Sequence, residues 1–223
     1  MILQNVKGQS LANNLDTTQI LTLDTNGYFN NFASQKRLLP GYEFACLVAL
    51  SKYPELKTVE IEFVTKKTDI PLMATPTFWS IFRRKSKRTF QVQISEKSKD
   101  FLESILLKNL SLNAQIGVLG HELGHIADMK SFSFWRFLIH GIRYTISDNY
   151  GDQFEFRTDR IAVQHGLGLP LYCWSSEVRR KLKTGPFAQE IEKNDKRERY
   201  MNPGTILKEI EEIEIHNPIS KKL

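Results

Sequence analysis

Cysteine is scarce in this 223-residue chain: Cys46 and Cys173 are the only two. Each sits in apolar company ("EFACLVAL", "PLYCWSS") with no second cysteine at ligand spacing. That argues against a disulfide framework and a cysteine-built metal site, and two reduced thiols are expected. No run of about 18 apolar residues occurs, which removes a spanning helix from consideration. Low-complexity stretches and internal repeats are also missing. Neither charge sign dominates: 31 Lys plus Arg against 25 Asp plus Glu gives a net +6. So mild an excess favours anionic surfaces without selecting nucleic acid, membrane or acidic protein. The opening residues, "MILQNVKGQSLANNLDTTQ", lack the charged start and apolar run of a signal peptide. With 41% hydrophobic and 25% charged residues, one soluble, cytoplasmic domain spanning 1–223 is expected. Residues 1–40, rich in Asn, Gln and Thr, form its poorly defined N-terminal segment.

Periodicity carries more. "GYEFACLVALSKYPEL" has a helical apolar face (Phe44, Leu47, Val48) that stops near Pro54. "TVEIEFV" and "TFQVQIS" alternate apolar and polar residues with the period of a half-buried strand, through Val59, Ile61 and Phe63 and through Phe90, Val92 and Ile94. A long Pro-containing connection ending in "RRKSKR" lies between them. From about residue 98 the pattern turns helical: "SKDFLESILLKN", "SLNAQIGVLGHELGHIADMK", "FWRFLIHGIRYTI", "DQFEFRTDRIAVQHG", "LYCWSSEVRRKL" and "NPGTILKEIEEIEI", the last with Asn202 as N-cap and Pro203 in the first turn. The expected class is α+β, a small mixed or antiparallel sheet followed by a mostly helical C-terminal half.

Within "GVLGHELGHIAD", His121 and His125 are four apart, so a helix projects both imidazoles from one face, one turn apart. Two neutral imidazoles so placed converge on one metal ion, and a catalytic zinc site has three protein ligands with its fourth position left for water. Glu122 lies about 100° round the helix from His121, placed to reach that water as a general base. Gly120 and Gly124 each cost about 1 kcal/mol relative to Ala in a helix interior, a loss that implies close packing there.

"HELGH" resembles the hallmark helix of the zincin metallopeptidases. The metzincin branch of that family is excluded, because the positions of its glycine and third histidine hold Asp128 and Ser131. The gluzincin branch takes its third ligand from a glutamate on a later helix that begins a Glu-x-x-x-Asp pattern, and "EFRTD" has that form. The resemblance spans roughly residues 113–168. It implies a zinc metallopeptidase with a zincin-like fold, acting on a peptide or protein substrate. His121, His125 and Glu155 would hold Zn2+, Glu122 would be the catalytic base, and Asp159 would support a ligand histidine from behind by accepting its second N–H. Thr158 stands where many relatives carry alanine, a departure from the family pattern that touches no ligand. Asp128, His140 and His165 remain alternatives for the third ligand.

In zincins the strand upstream of the motif helix commonly forms the edge along which a peptide lies, and "TFQVQIS" stands at that place; an ordinary central strand is the equal alternative. "FSFWRFLIHGIRYTI" reads as a core helix, with an interfacial helix giving peripheral membrane contact as its alternative. The "RRKSKR" cluster reads as a solvated loop, and no nucleic-acid module surrounds it. Tyr144, Tyr150, His140 and His165 are unranked candidates for an oxyanion donor. The competing function is a non-catalytic DNA- or membrane-associated protein that retains the zinc helix as a structural element.

Overall fold

The computed structural model describes residues 32–183 and 188–216. Its sheet grows from the two alternating stretches. Strands β2 (Glu60–Thr65) and β4 (Thr89–Ile94) run parallel, with Ile61 opposite Phe90 and Phe63 opposite Val92. All four side chains are buried, so one face of the sheet is apolar. On the other face Thr89 Oγ1 donates to Glu60 at 2.8 Å and Gln91 Nε2 to Glu62 at 2.9 Å, polar cross-strand pairs that hold the register. Strand β1 (Lys36–Arg37) joins β2 in parallel and β3 (Leu72–Pro76) joins β4 antiparallel, giving the order β1-β2-β4-β3.

That order decides between the edge and central readings. "TFQVQIS" is an inner strand, and the edge is "LMATP", which sequence reading left inside a connection. Proline and an alternation of only a few residues hide it as a strand, yet proline is tolerated at an edge because one side of that backbone has no ladder to supply. Thr77 N donates to Thr89 O and Ser95 N to Pro71 O. In an antiparallel ladder hydrogen-bonding groups alternate sides, so Leu72, Ala74 and Pro76 turn their backbone groups away from β4.

Helix α1 (Glu43–Ser51) buries every residue from Ala45 to Leu50 and ends before the Pro54–Leu56 turn, as its sequence predicts. The stretch "SKDFLESILLKN" departs from expectation: it makes 3-10 turns at Asp100–Ile105 and Leu107–Asn109 in place of an α-helix. Helices α2 (Leu112–Met129), α3 (Phe134–Ile146) and α4 (Asp148–Ala162) follow, each begun by a serine, Ser111, Ser133 or Ser147, whose side chain accepts a backbone N–H of the first turn. Such caps contribute about 1 kcal/mol each. A π-helical segment, Val163–Leu167, leads into α5 (Gly168–Leu182), and Gly166 there adopts φ 77°. Helices α6 (Ala188–Arg197) and α7 (Pro203–His216) complete the described chain. Helix α7 starts where expected, with Asn202 just before it accepting from Ile206 N through its carbonyl, while the Asn202 Oδ1 accepts from Arg179.

Helix α2 is packed by α1, α4, α5 and β3, and the core is one cluster that joins the apolar sheet face to α1 and α2. Glycines permit this closeness. A Cβ on Gly117 would lie 2.2 Å from the Pro170 carbonyl oxygen, one on Gly120 2.4 Å from Leu167 Cδ1, and one on Gly124 3.1 Å from Thr158 Cγ2. Helix α3 is the exception to core packing. None of its residues is buried, which overturns the core-helix expectation for "FWRFLIHGIRYTI". Only Phe137 of this helix packs against the core cluster.

Two Gly→Ala changes in helices therefore have opposite signs. Gly117→Ala forces the α5 backbone away and lowers stability by about 1–3 kcal/mol. Gly141→Ala, whose Cβ meets nothing within 4 Å, raises it by up to about 1 kcal/mol through helix propensity. Denaturant titration of the two variants measures both.

Candidate metal centre

Two turns of α2 and one of α4 build the centre. His121 and His125 share a face of α2, and Glu155 comes from α4, which lies alongside at the Gly124–Thr158 contact. Glu155 Oε2 is 3.1 Å from His121 Nε2 and 3.2 Å from His125 Nε2. All three side chains are buried, and one ligand atom from each can be chosen so that the set lies within 4.8 Å. Two bonds of the length zinc makes, opened to a tetrahedral angle, leave their donors about 3.3 Å apart. The observed spacings match that edge, so the trio can hold a metal ion.

The outward nitrogens are held as well. His121 Nδ1 is 2.7 Å from Asp159 Oδ1, and the other oxygen, Oδ2, accepts from Met201 N at 2.7 Å. His125 Nδ1 is 3.0 Å from Thr158 Oγ1, which itself donates to Phe154 O at 2.9 Å. With its hydroxyl proton committed to that carbonyl, Thr158 is left to accept from His125 Nδ1–H. Both imidazoles are thereby oriented with Nδ1–H outward and Nε2 toward Glu155, where a bound metal would replace the Nε2 proton. Sequence reading took Thr158 as a departure that touches no ligand. In the structure it fixes the tautomer of one.

Electrostatics follow from enclosing acids with histidines. Burial works against a charged His121, but Asp159 and Glu155 outweigh it and hold its pKa well above the ordinary histidine value. For Glu155 burial raises the pKa, and the hydrogen bonds from His121 and His125 reverse the sign and leave it well below the usual carboxylate range. The pocket thus favours positive charge between its carboxylates, which is what a divalent cation supplies.

Glu122 stands apart from this pairing. It is buried, lines the same cleft, and its Oε2 has no hydrogen-bond partner among the described residues. Burial pushes its carboxyl above the usual range, with His125 and His121 pulling the other way. The outward-facing backbone of Ala74 on β3 also supports its charged form. The cleft holds about 940 Å³ and runs between β3 and α3, with Leu72, Ala74, Phe137 and Ile142 among its walls.

No family model, curated protein or solved structure matches this chain. The site therefore stands on its own geometry.

None of the alternative ligands joins the trio. Asp128 pairs with Arg157, and His165 is 2.9 Å from Glu55 while stacking on Tyr53. His140 lines the cleft with its Nδ1 2.9 Å from Tyr150 OH. Of the four oxyanion candidates, Tyr144 and His140 face the cleft, and Tyr144 OH donates to Glu155 Oε1. Arg199, whose Nη2 donates to Tyr144 OH at 2.7 Å, joins them from the loop between α6 and α7. Tyr53, whose OH donates to the Gly120 carbonyl at 2.7 Å, props α2 from behind. Nothing in the sequence flags Arg199 or Tyr53, since both reach the site only through tertiary contacts.

The support from behind is measurable. Asp159→Asn removes the charge facing His121 while keeping its size, and the metal Kd is expected to rise about 10–100-fold. Competition against a chromophoric chelator reads that change, and an unaltered Kd would show that Asp159 does not tune the ligand.

Proposed function

We propose that this protein is a zinc metallopeptidase of zincin type that hydrolyses peptide bonds, with His121, His125 and Glu155 as the zinc ligands and Glu122 as general base. The observation that carries the proposal is the Glu122 carboxylate. It is buried, has one oxygen without a hydrogen-bond partner among the described residues, and belongs to a residue that lines the same cleft as His121, His125 and Glu155. Leaving a buried acceptor unpaired costs about 1–3 kcal/mol, a cost that a purely structural metal site has no reason to bear. That argument weighs against the non-catalytic alternative. Non-haem iron centres also use two histidines and a carboxylate, but they do not call for a free base beside the ligands.

Two histidines and a glutamate suit zinc, which, when bound, supplies an acidified water and polarises a carbonyl oxygen. The chain's own groups account for the rest. Glu122 accepts the proton of the attacking water and passes it to the leaving amine. Asp159 and Thr158 keep the two Nε2 atoms aimed inward. The backbone side of β3 turned away from β4, which meets Glu122 at Ala74, offers the remaining groups of Leu72 and Pro76 to an extended peptide, giving affinity through main-chain hydrogen bonds. Tyr144, backed by Arg199, is the donor nearest to hand for a developing oxyanion, and it can leave Glu155 Oε1 to serve one.

Glu122→Gln keeps the shape and removes the base. Hydrolysis of an unfolded-protein substrate is expected to fall about 10²–10⁴-fold, with zinc content by elemental analysis unchanged. Wild-type protein that retains zinc and cleaves neither unfolded protein nor a peptide library would refute the proposal.

A further inference from the structure

We propose that helix α3 and the Phe78–Phe82 turn form a docking surface for an anionic lipid bilayer, seated at the mouth of the cleft.

The surface is apolar and continuous. Trp79 is 73% exposed, Phe78 67% and Trp135 67%, values that pack no core. Their rings form one ridge: Phe78 meets Trp79 and Phe82, Phe82 lies 5.2 Å from Phe134, and Phe134 lies 5.3 Å from Trp135. Along α3 the residues Trp135, Ile139, Ile142 and Ile146 recur at helical spacing and face outward. Phe78, Trp79, Phe82, Trp135 and Ile139 lie outside the cleft lining, so a substrate held in the cleft leaves them uncovered. A contiguous patch of this kind marks a surface that meets another apolar phase.

Charge selects the occupant. The sequence from Ile70 to Ser95 contains five arginines and lysines and no acid, and that from Met129 to Ser147 contains three and again no acid. Among the described residues Arg83, Arg84, Lys85 and Lys87 make no ion pair, and Arg136 and Arg143 lie over the rings of Phe132 and Tyr150. Glu60 and Glu62, which share a concavity with Arg83 and Lys87, are engaged by Thr89 and Gln91. A second copy docking on the same patch would bring two unneutralised basic fringes together, which disfavours it. An anionic leaflet neutralises them: tryptophans seat at the headgroup level, aliphatic side chains enter the acyl boundary, and each basic residue near the surface strengthens binding about fivefold. Docking in this orientation faces the cleft mouth toward the bilayer, where polypeptide segments rich in apolar residues lie. The inference does not depend on hydrolysis.

The test is co-sedimentation of the full chain with phosphatidylcholine vesicles, alone or mixed with phosphatidylglycerol, read with the tryptophan emission. Binding to the mixed vesicles with a blue shift is expected, weakening as salt is raised. Trp79→Ser combined with Trp135→Ser and Ile139→Ser, and separately Arg83→Gln with Arg84→Gln, Lys85→Gln and Lys87→Gln, should each weaken binding at least tenfold without altering the circular dichroism. Glu122→Gln should bind as wild type does, which separates this inference from the hydrolytic one. Failure to bind mixed vesicles, binding unmoved by either set of substitutions, or a solution dimer that the apolar set dissociates would overturn it.

Discussion

The meeting of His121 Nε2, His125 Nε2 and Glu155 Oε2 at about one bond-pair's separation is the constraint around which the rest of the protein is arranged. It requires α2 and α4 to lie closer than ordinary side chains permit. Gly124 supplies the missing volume on one helix, and Thr158 fills the contact from the other. The same threonine then turns its hydroxyl to His125, so packing and ligand orientation are set by one residue. Gly117 and Gly120 repeat the closeness against α5 and the residues that precede it. Through this packing α5 steadies the loop carrying Met201 and Asn202, with Ser175 bonded to the Met201 carbonyl and Arg179 to Asn202. Met201 N in turn fixes Asp159 behind His121. Elements remote in sequence thus converge on two imidazoles.

Much of this centre was legible before any coordinates, because its logic is helical. A spacing of four aims two histidines one way, and the pattern "EFRTD" put a carboxylate and its supporting acid one turn apart on a second helix. The α+β layout and the strands β2 and β4 were readable for a similar reason, since alternation is a local signal, whereas their parallel pairing was not. What escaped reading depends on contacts between distant segments. Leu72 to Pro76 have little strand character alone and become β3 because β4 presents a ladder to them. Thr158 looked neutral because its role depends on the distance between two helices. Tyr53 and Arg199 reach the site from opposite ends of the chain.

Helix α3 shows a different kind of failure. Its aromatic and aliphatic residues are those of a core helix, and apolar density alone assigned them to the interior. The structure leaves them outside, joined to a turn of like composition and bordered by arginines and lysines without acids. Composition shows that these residues are apolar and gives no information about where they sit. The same helix lines the cleft that holds the candidate metal centre, so the apolar surface and the centre share one side of the molecule.

X-ray absorption at the zinc edge of the purified protein tests the central claim most directly. The account predicts a shell of two imidazole nitrogens at about 2.0–2.1 Å with oxygen at about 2.0–2.2 Å and no sulfur. A single imidazole, a sulfur scatterer or an oxygen-only shell would contradict it.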